Sequence, residues 1–430
     1  MYVLALFRLI GIYQRAVVGE WTAMAFTPLL ILGLWEIYSK TNQKKAWIYV
    51  VAGSFGLMAT HILSTIMVVV FVVIFMLLLI KRTFQKEVWV PILKVVLGAL
   101  LVNAYFIVPF LDSYARNELI TVDLGPIYEW SAYLRQIFST RYQAYLNEVL
   151  NGMEMEMPIS IGYASLFIAL AAIYVVFKDK PQKNKAALSI LLVLFGISIV
   201  ASTNIFPYRW IYQNGSFLRT VCRVLQFPYR LLSVSTVLIT AIAAILLGYA
   251  RENGRKVLTI LMIVMMTLSC VHGIRYVWGY ATEQALADRV YDHDEGDSYD
   301  AASYGEYTLT NLGYVGVREP VLSDLNSMEC SNYMKDGLKI TADIVNYTEK
   351  EQYIDFPLQC YFGYKAYGEH GQLSLEKSEE SKVRVRIPAG YEGSIRVEFE
   401  TPFYWDAAWI VSIVSVVGLG MELKRRNKEV

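Results

Sequence analysis

Residues 46–80 form a run of thirty-five positions that contains no Asp, Glu, Lys or Arg. As one helix it would reach about 52 Å, against a bilayer hydrocarbon core of about 30 Å. Lys44 and Lys45 precede the run, and Lys81 and Arg82 follow it. Basic residues stay on the cytoplasmic side, so both ends are expected there and the run should fold back on itself. Thr60 and His61, with Ser64 and Thr65, supply a polar tip for that hairpin. Seven more apolar runs occur, at 21–38, 88–108, 159–177, 186–201, 229–249, 257–278 and 405–421. With two arms for the first run, the chain reads as a polytopic α-helical membrane protein of about nine transmembrane helices. Composition agrees: 55% of residues are hydrophobic and 18% charged, where soluble domains carry about a quarter charged. A net charge of +1 leaves no electrostatic footprint for nucleic acid, which is not expected as a partner.

Lysine is distributed one-sidedly. The segments 40–45, 81–86, 178–185, 251–256 and 424–428 are short and basic, whereas the intervening segments 109–158 and 202–228 contain no lysine at all. The first set is expected in the cytoplasm together with the C-terminus, and the second set outside. The outer segments nevertheless keep Arg116, Arg135, Arg141, Arg209, Arg219 and Arg223. An odd number of spans then places residues 1–20 outside, although no signal-peptide pattern opens the chain. Further helices before Met1 would account for this, and a short translocated tail is the alternative.

The transmembrane region is expected to cover 1–279, and the character changes from 280 to 403, which the parity places outside. Asp288, Asp292, Asp294, Glu295, Asp297 and Asp300 form an acidic stretch. It lacks the glycine and distal glutamate of a calcium-binding loop, so a solvated linker is favoured. Leu338, Ile340, Ala342 and Ile344 then alternate with polar residues, as do Val383, Val385 and Ile387, and later Ile395, Val397 and Phe399. That period of two predicts a small antiparallel β-sandwich at about 337–401, ahead of a final helix and basic tail at 404–430. Cys330 and Cys360 lie in this region and either pair or stay free; none of the four cysteines has a zinc or redox spacing. Asn346-Tyr-Thr is a glycosylation sequon.

Ionisable groups retained beside membrane helices are default candidates for function. Arg15 and Glu20 precede the 21–38 span; they are either an interfacial ion pair or part of a substrate site. His61 is either a hydrogen-bonded turn residue or a ligand-binding group. Arg219, Arg223 and Arg230 flank Gln226-Phe-Pro-Tyr229 at the mouth of the next helix. Arginine forks bind phosphate, but arginines also snorkel as interfacial anchors. Asp112, Arg116 and Asp123 in the long outer segment complete the set. Neither a metal site nor a cofactor fingerprint is found among the motifs.

The segments Arg15-Ala-Val-Val-Gly-Glu20, Ala25-Phe-Thr-Pro28-Leu, Ala59-Thr-His61 and Gln226-Phe-Pro-Tyr-Arg230-Leu-Leu resemble bacterial YfhO-type membrane proteins. Gly305-Glu-Tyr307, Tyr361-Phe-Gly-Tyr-Lys-Ala366 and Val385-Arg-Ile-Pro-Ala-Gly390 extend the likeness over nearly the whole chain. Two departures stand out: Tyr364 replaces a usual tryptophan, and Thr308-Leu309 replaces a Leu-Pro. Some of these proteins are labelled 6-pyruvoyl-tetrahydropterin-synthase-related, a label that does not denote an activity.

The family is similar to C-type glycosyltransferases. The resemblance implies transfer of a sugar from a polyprenyl-phosphate carrier to a cell-envelope acceptor at the outer face of the bacterial plasma membrane. It further implies a catalytic carboxylate in an early outer loop, which would precede Met1. Within this chain Glu20 and Asp112 are the near-membrane carboxylates that can stand as general base. Arg15, His61, Arg116, Arg219, Arg223, Tyr229 and Arg230 are the expected substrate-binding residues, the arginines neutralising phosphate as the glycosidic bond breaks. A non-catalytic flippase or scaffold of a glycosylation complex is the alternative.

Overall fold

A computed structural model describes residues 1–41, 43–118, 126–140, 159–178, 185–283, 309 and 319–427. The acidic stretch 288–300, Asp123, Arg141, Gly305-Glu-Tyr307 and most of the basic segment 178–185 lie outside the described residues. The chain divides into two units. The first comprises 1–103, 124–290 and 417–430, and the second 104–123 and 291–416.

Helices account for most of the first unit. They are α1 (Leu6–Tyr13), α2 (Val18–Ser39), α3 (Gln43–Thr60), α4 (Ile62–Leu78), α5 (Ile80–Thr83) and α6 (Lys86–Val102). Helix α7 (Ala104–Arg116) belongs to the second unit. Then follow α8 (Leu134–Phe138), α9 (Tyr163–Lys178), α10 (Lys185–Ser202), α11 (Tyr208–Asn214) and α12 (Ser216–Val224). Helices α13 (Leu232–Glu252), α14 (Lys256–Glu283) and, after the sheets, α15 (Phe403–Asn427) complete the set.

Among the described residues, five helical segments are long and apolar enough to cross a membrane: Val18–Ser39, Lys185–Ser202, Pro228–Glu252, Lys256–Gly279 and Phe403–Arg426. Helices α4 and α9 are apolar but shorter, with 17 and 16 residues, or about 24–26 Å each at 1.5 Å per residue. The expected hairpin does break at His61, between α3 and α4. The expected span at 88–108 is divided between two helices: α6 ends at Val102 and α7 starts at Ala104. The break frees the Tyr105 N–H, which donates to Ser412 Oγ at 2.9 Å. Residues 1–20 include the short helix α1, whose Phe7 and Ile10 are buried and whose following Gln14 accepts from the Tyr276 hydroxyl at 2.9 Å.

Helices α2 and α3 pack with backbone-to-backbone closeness. A Cβ added at Gly33 would lie 2.6 Å from the Ala46 carbonyl oxygen, and one at Gly53 2.9 Å from the Leu30 nitrogen. At Gly56 it would lie 2.1 Å from the Phe26 ring, and at Gly19 2.8 Å from the Thr60 carbonyl oxygen. These contacts step in opposite directions along the two helices, so the pair is antiparallel. Small residues let helix backbones approach where no water drives burial. The start of α2 is thereby laid against the end of α3.

The second unit holds two antiparallel sheets. One has the order β1 (Val321–Leu322), β4 (Gln352–Gln359), β8 (Lys382–Ile387), β7 (Leu375–Lys377). The other runs β2 (Met328–Asp336), β3 (Lys339–Asn346), β9 (Glu392–Phe399), β5 (Tyr364–Gly368), β6 (Gly371–Leu373). Ile354, Phe356 and Val385 of the first sheet share one apolar cluster with Ile340, Ile344 and Val397 of the second. Strands therefore begin earlier than the expected residue 337. The alternation in β8 is apolar-in as read, but Lys382 and Arg384 are buried as well. Arg384 sits opposite Asp355 in the register and donates to both of its oxygens, at 2.7 and 2.8 Å.

All four cysteines are free, so Cys330 and Cys360 are not joined. Burial pushes the Cys360 thiol up to about 11. Asn346 of the sequon is buried, and its amide donates to the Lys350 and Pro388 carbonyls at 2.9 and 2.8 Å. It works as a turn clamp.

Candidate functional site

At one end of the first unit, three helices start side by side. The short 3-10 turn Pro228–Leu231 leads into α13, α2 starts at Val18, and α4 starts after His61. Met24, Ser64 and Ser233 line one small cavity, and Leu34, Phe75 and Leu238 line a second, farther along the same three helices. The three therefore run in the same direction. Helix starts expose backbone N–H groups and the positive end of the macrodipole, so this end of the unit favours an anion.

Glu20 occupies that position. Its carboxylate accepts two hydrogen bonds from Arg15, Nη1 to Oε1 at 3.1 Å and Nη2 to Oε2 at 2.9 Å. Both side chains are almost fully enclosed, at 6% and 3% exposed. Arg230 Nε lies 3.5 Å from Glu20 Oε2, so two guanidiniums share one carboxylate. The Arg15 guanidinium also lies 4.9 Å from the Tyr229 ring centre, and that of Arg230 lies 4.7 Å from the Phe227 ring centre. Planar stacking on aromatic rings and two-pronged carboxylate binding are both specific to arginine, so lysine would not reproduce this arrangement.

His61 joins the cluster through backbone proximity. A Cβ added at Gly19, next to Glu20, would lie 3.0 Å from His61 Cδ2. The His61 ring caps α4: Nδ1 accepts the Ser64 N–H at 3.1 Å and lies 2.8 Å from Ser64 Oγ. A ring nitrogen that accepts from an N–H carries no proton, so His61 is neutral and held as a cap. That is the hydrogen-bonded turn role weighed from the sequence.

The remaining candidates sit elsewhere. Arg219 lies on α12 with its guanidinium 5.0 Å from the Tyr212 ring centre. Arg223 is on the same helix. Asp112 and Arg116 belong to the second unit, where Arg116 Nε donates to Asp112 Oδ1 at 2.6 Å. Asp112 Oδ2 accepts from the Tyr404 hydroxyl at 2.6 Å and from Trp405 Nε1 at 3.0 Å. With both oxygens engaged, Asp112 suits an anchor between α7 and α15 better than a proton acceptor. One contributor missing from the sequence-derived set is Gln226. It takes a positive φ of 59° and accepts from Arg230 Nη1. Its position just ahead of Phe-Pro, where the chain must turn into α13, is the signal that points to it.

Among the described residues, no three His, Cys, Asp or Glu side chains gather as metal ligands would. No protein-family model, curated protein or solved structure matches the chain.

Proposed function

We propose that this chain is a multi-pass protein of the bacterial plasma membrane that binds a polyprenyl-phosphate-linked sugar and serves outer-face glycosylation of a cell-envelope polymer. On this reading there are nine spans, with α3, α4 and α9 crossing as short ones. The C-terminus is cytoplasmic, and the two sheets form an extracytoplasmic β-sandwich. The observation that carries the proposal is the enclosed Arg15–Glu20–Arg230 cluster at the starts of three parallel helices. A phosphate arriving there meets guanidinium forks and helix N-termini, both of which stabilise the charge that grows on a departing lipid phosphate. Glu20 then holds the two arginines in place.

A second reading has a specific observation in its favour. Both Glu20 oxygens accept from Arg15, and both Asp112 oxygens are engaged, so neither carboxylate is poised as a general base. That favours a non-catalytic component that binds the carrier lipid and leaves the chemistry to another protein.

The lipid-binding core common to both readings is tested with purified protein in nanodiscs and a labelled undecaprenyl phosphate. Arg230→Gln should weaken binding about tenfold or more, since a charge-assisted hydrogen bond contributes roughly 1.5–3 kcal/mol. Arg219→Gln, outside the cluster, should leave it unchanged. Equal affinity for wild type and Arg230→Gln overturns the proposal. Sugar analysis of envelope polymers made with and without the chain, in cells that keep every other component, separates transferase from carrier: full loss with no purified activity favours the second reading.

A further inference from the structure

The second unit contains a cleft of about 830 Å³ that the reading above does not use. Its walls come from the end of α7, the turn before β5, strands β6 and β7, and the start of α15. The turn is fixed from two sides. Gly363 takes φ +120°, and a Cβ there would lie 2.7 Å from the Phe399 ring, so only glycine fits. The neighbouring Phe362 N–H donates to Asn117 Oδ1 at 2.9 Å, tying the turn to the residue just beyond α7.

Aromatic surface is held open along this cleft. Arg116 covers Phe362 with its guanidinium 4.3 Å from the ring centre, yet Phe362 remains 40% exposed. Tyr361 is half-buried beside it, and Phe403 is largely exposed at the far wall. Charge, in contrast, is balanced within the walls. Arg116 is held by Asp112 at 2.6 Å, Lys377 by Glu118 at 2.7 Å, and Lys365 by Glu400 at 2.5 Å. Glu376 is held by Arg386 at 2.5 Å. Every charged side chain among the described lining residues thus has an ionic partner. The cleft offers flat apolar faces and many hydrogen-bonding edges but no net charge.

We propose that this cleft binds a neutral saccharide. A pyranose ring has one apolar C–H face, which stacks on an aromatic ring, and a rim of hydroxyls. Paired carboxylates and the exposed amide of Gln372 are suited to bind vicinal hydroxyls. An anionic polymer would have to break the wall pairs to gain a counter-charge, and an apolar chain would leave their polar atoms without solvent. The inference is independent of the lipid-binding cluster, because none of the cleft residues belongs to the first unit.

The test uses the full chain in nanodiscs, titrated with cellotetraose and chitotetraose and followed by saturation-transfer NMR. Saturable binding of at least one is expected, with little dependence on salt. Phe362→Ala should weaken it roughly fivefold to tenfold. Gln372→Ala, at an exposed position on β6, should weaken it without altering the thermal midpoint, and it decides the matter if Phe362→Ala fails to fold. Three results overturn the proposal. One is no saturation by either sugar at about 10 mM. Another is tight binding only of a poly(glycerol phosphate) or of a peptide added to the β6 or β7 edge. The third is unchanged sugar affinity in both variants.

Discussion

Arg15 with Glu20 in the helical unit and Arg384 with Asp355 in the sheet unit are both two-pronged arginine–carboxylate pairs. They differ in what surrounds them. The first is enclosed at 6% and 3% exposure and includes a second guanidinium, whereas the second lies at 10% and 13% on strands whose outer face meets further ionic partners such as Glu379. In the sheet unit the pair follows from register, because Asp355 and Arg384 are direct cross-strand partners. In the helical unit no register demands it. Enclosing three charged groups costs desolvation that attraction alone offsets poorly, so such a cluster is weak evidence for stability and better evidence for a site.

The comparison can be broken at its strong end. Glu20→Gln leaves two enclosed guanidiniums without their carboxylate and should destabilise the helical unit by about 3–5 kcal/mol, read by unfolding in mixed micelles. Arg384→Gln should cost about 1.5–3 kcal/mol in the same assay, confined to the sheet unit. If the two losses were equal, enclosure would not distinguish the pairs. Gly56→Ala should cost about 1–3 kcal/mol, because its Cβ would meet the Phe26 ring at 2.1 Å in the α2–α3 seam. The double variant with Phe26→Ala should recover part of that loss; no recovery would mean the seam is not the cause.

At the weak end, Lys365→Ala should leave stability nearly unchanged in the same assay, because its pair with Glu400 is 44% and 35% exposed and screened by solvent. A loss as large as that of Arg384→Gln would show the pair to be structural. Cys360 gives the gentlest probe. An ordinary thiol near 9 is half ionised at pH 9, but burial pushes Cys360 to about 11. In the folded chain, alkylation of Cys360 should stay slow at pH 9 and accelerate only as pH approaches 11, while the unfolded chain labels readily at pH 9. Fast labelling of the folded chain at pH 9, followed by peptide mapping, would show that the site is open.

The two units also differ in how far their sequence reveals them. Helices α2, α10, α13, α14 and α15 were legible because uninterrupted apolar runs of that length have few alternatives. The break at His61 was legible from its polar neighbours. The helix break at Asn103 was not, since the flanking residues are apolar and the Tyr105 N–H is satisfied by Ser412, distant in sequence. Strand β2 carries little signal in the sequence because Met328–Asp336 is mostly exposed and lacks alternation. Alternation in β8 puts Lys382 and Arg384 on the face opposite Val383 and Val385, and cross-strand and neighbouring carboxylates let that face be buried as well.

The candidate site was half legible. Each of Arg15, Glu20, His61, Tyr229 and Arg230 stood out singly as a polar group beside an apolar run. Their convergence did not, because it depends on the glycine-lined seam that sets the start of α2 against the end of α3. Gln226 was hidden because its contribution is a backbone turn with positive φ.

The five-residue separation of Arg15 and Glu20 bears on how the molecule is made. As the chain is synthesised, Glu20 has its neutralising partner before any other part of the cluster exists. Helix α2 can therefore leave the aqueous phase with its carboxylate already compensated, and α3 can close on it as a hairpin. Arg230, synthesised much later, then enters a socket whose geometry its predecessors have set. The order of synthesis and the order of charge compensation coincide, so no intermediate has to carry a bare carboxylate into the membrane.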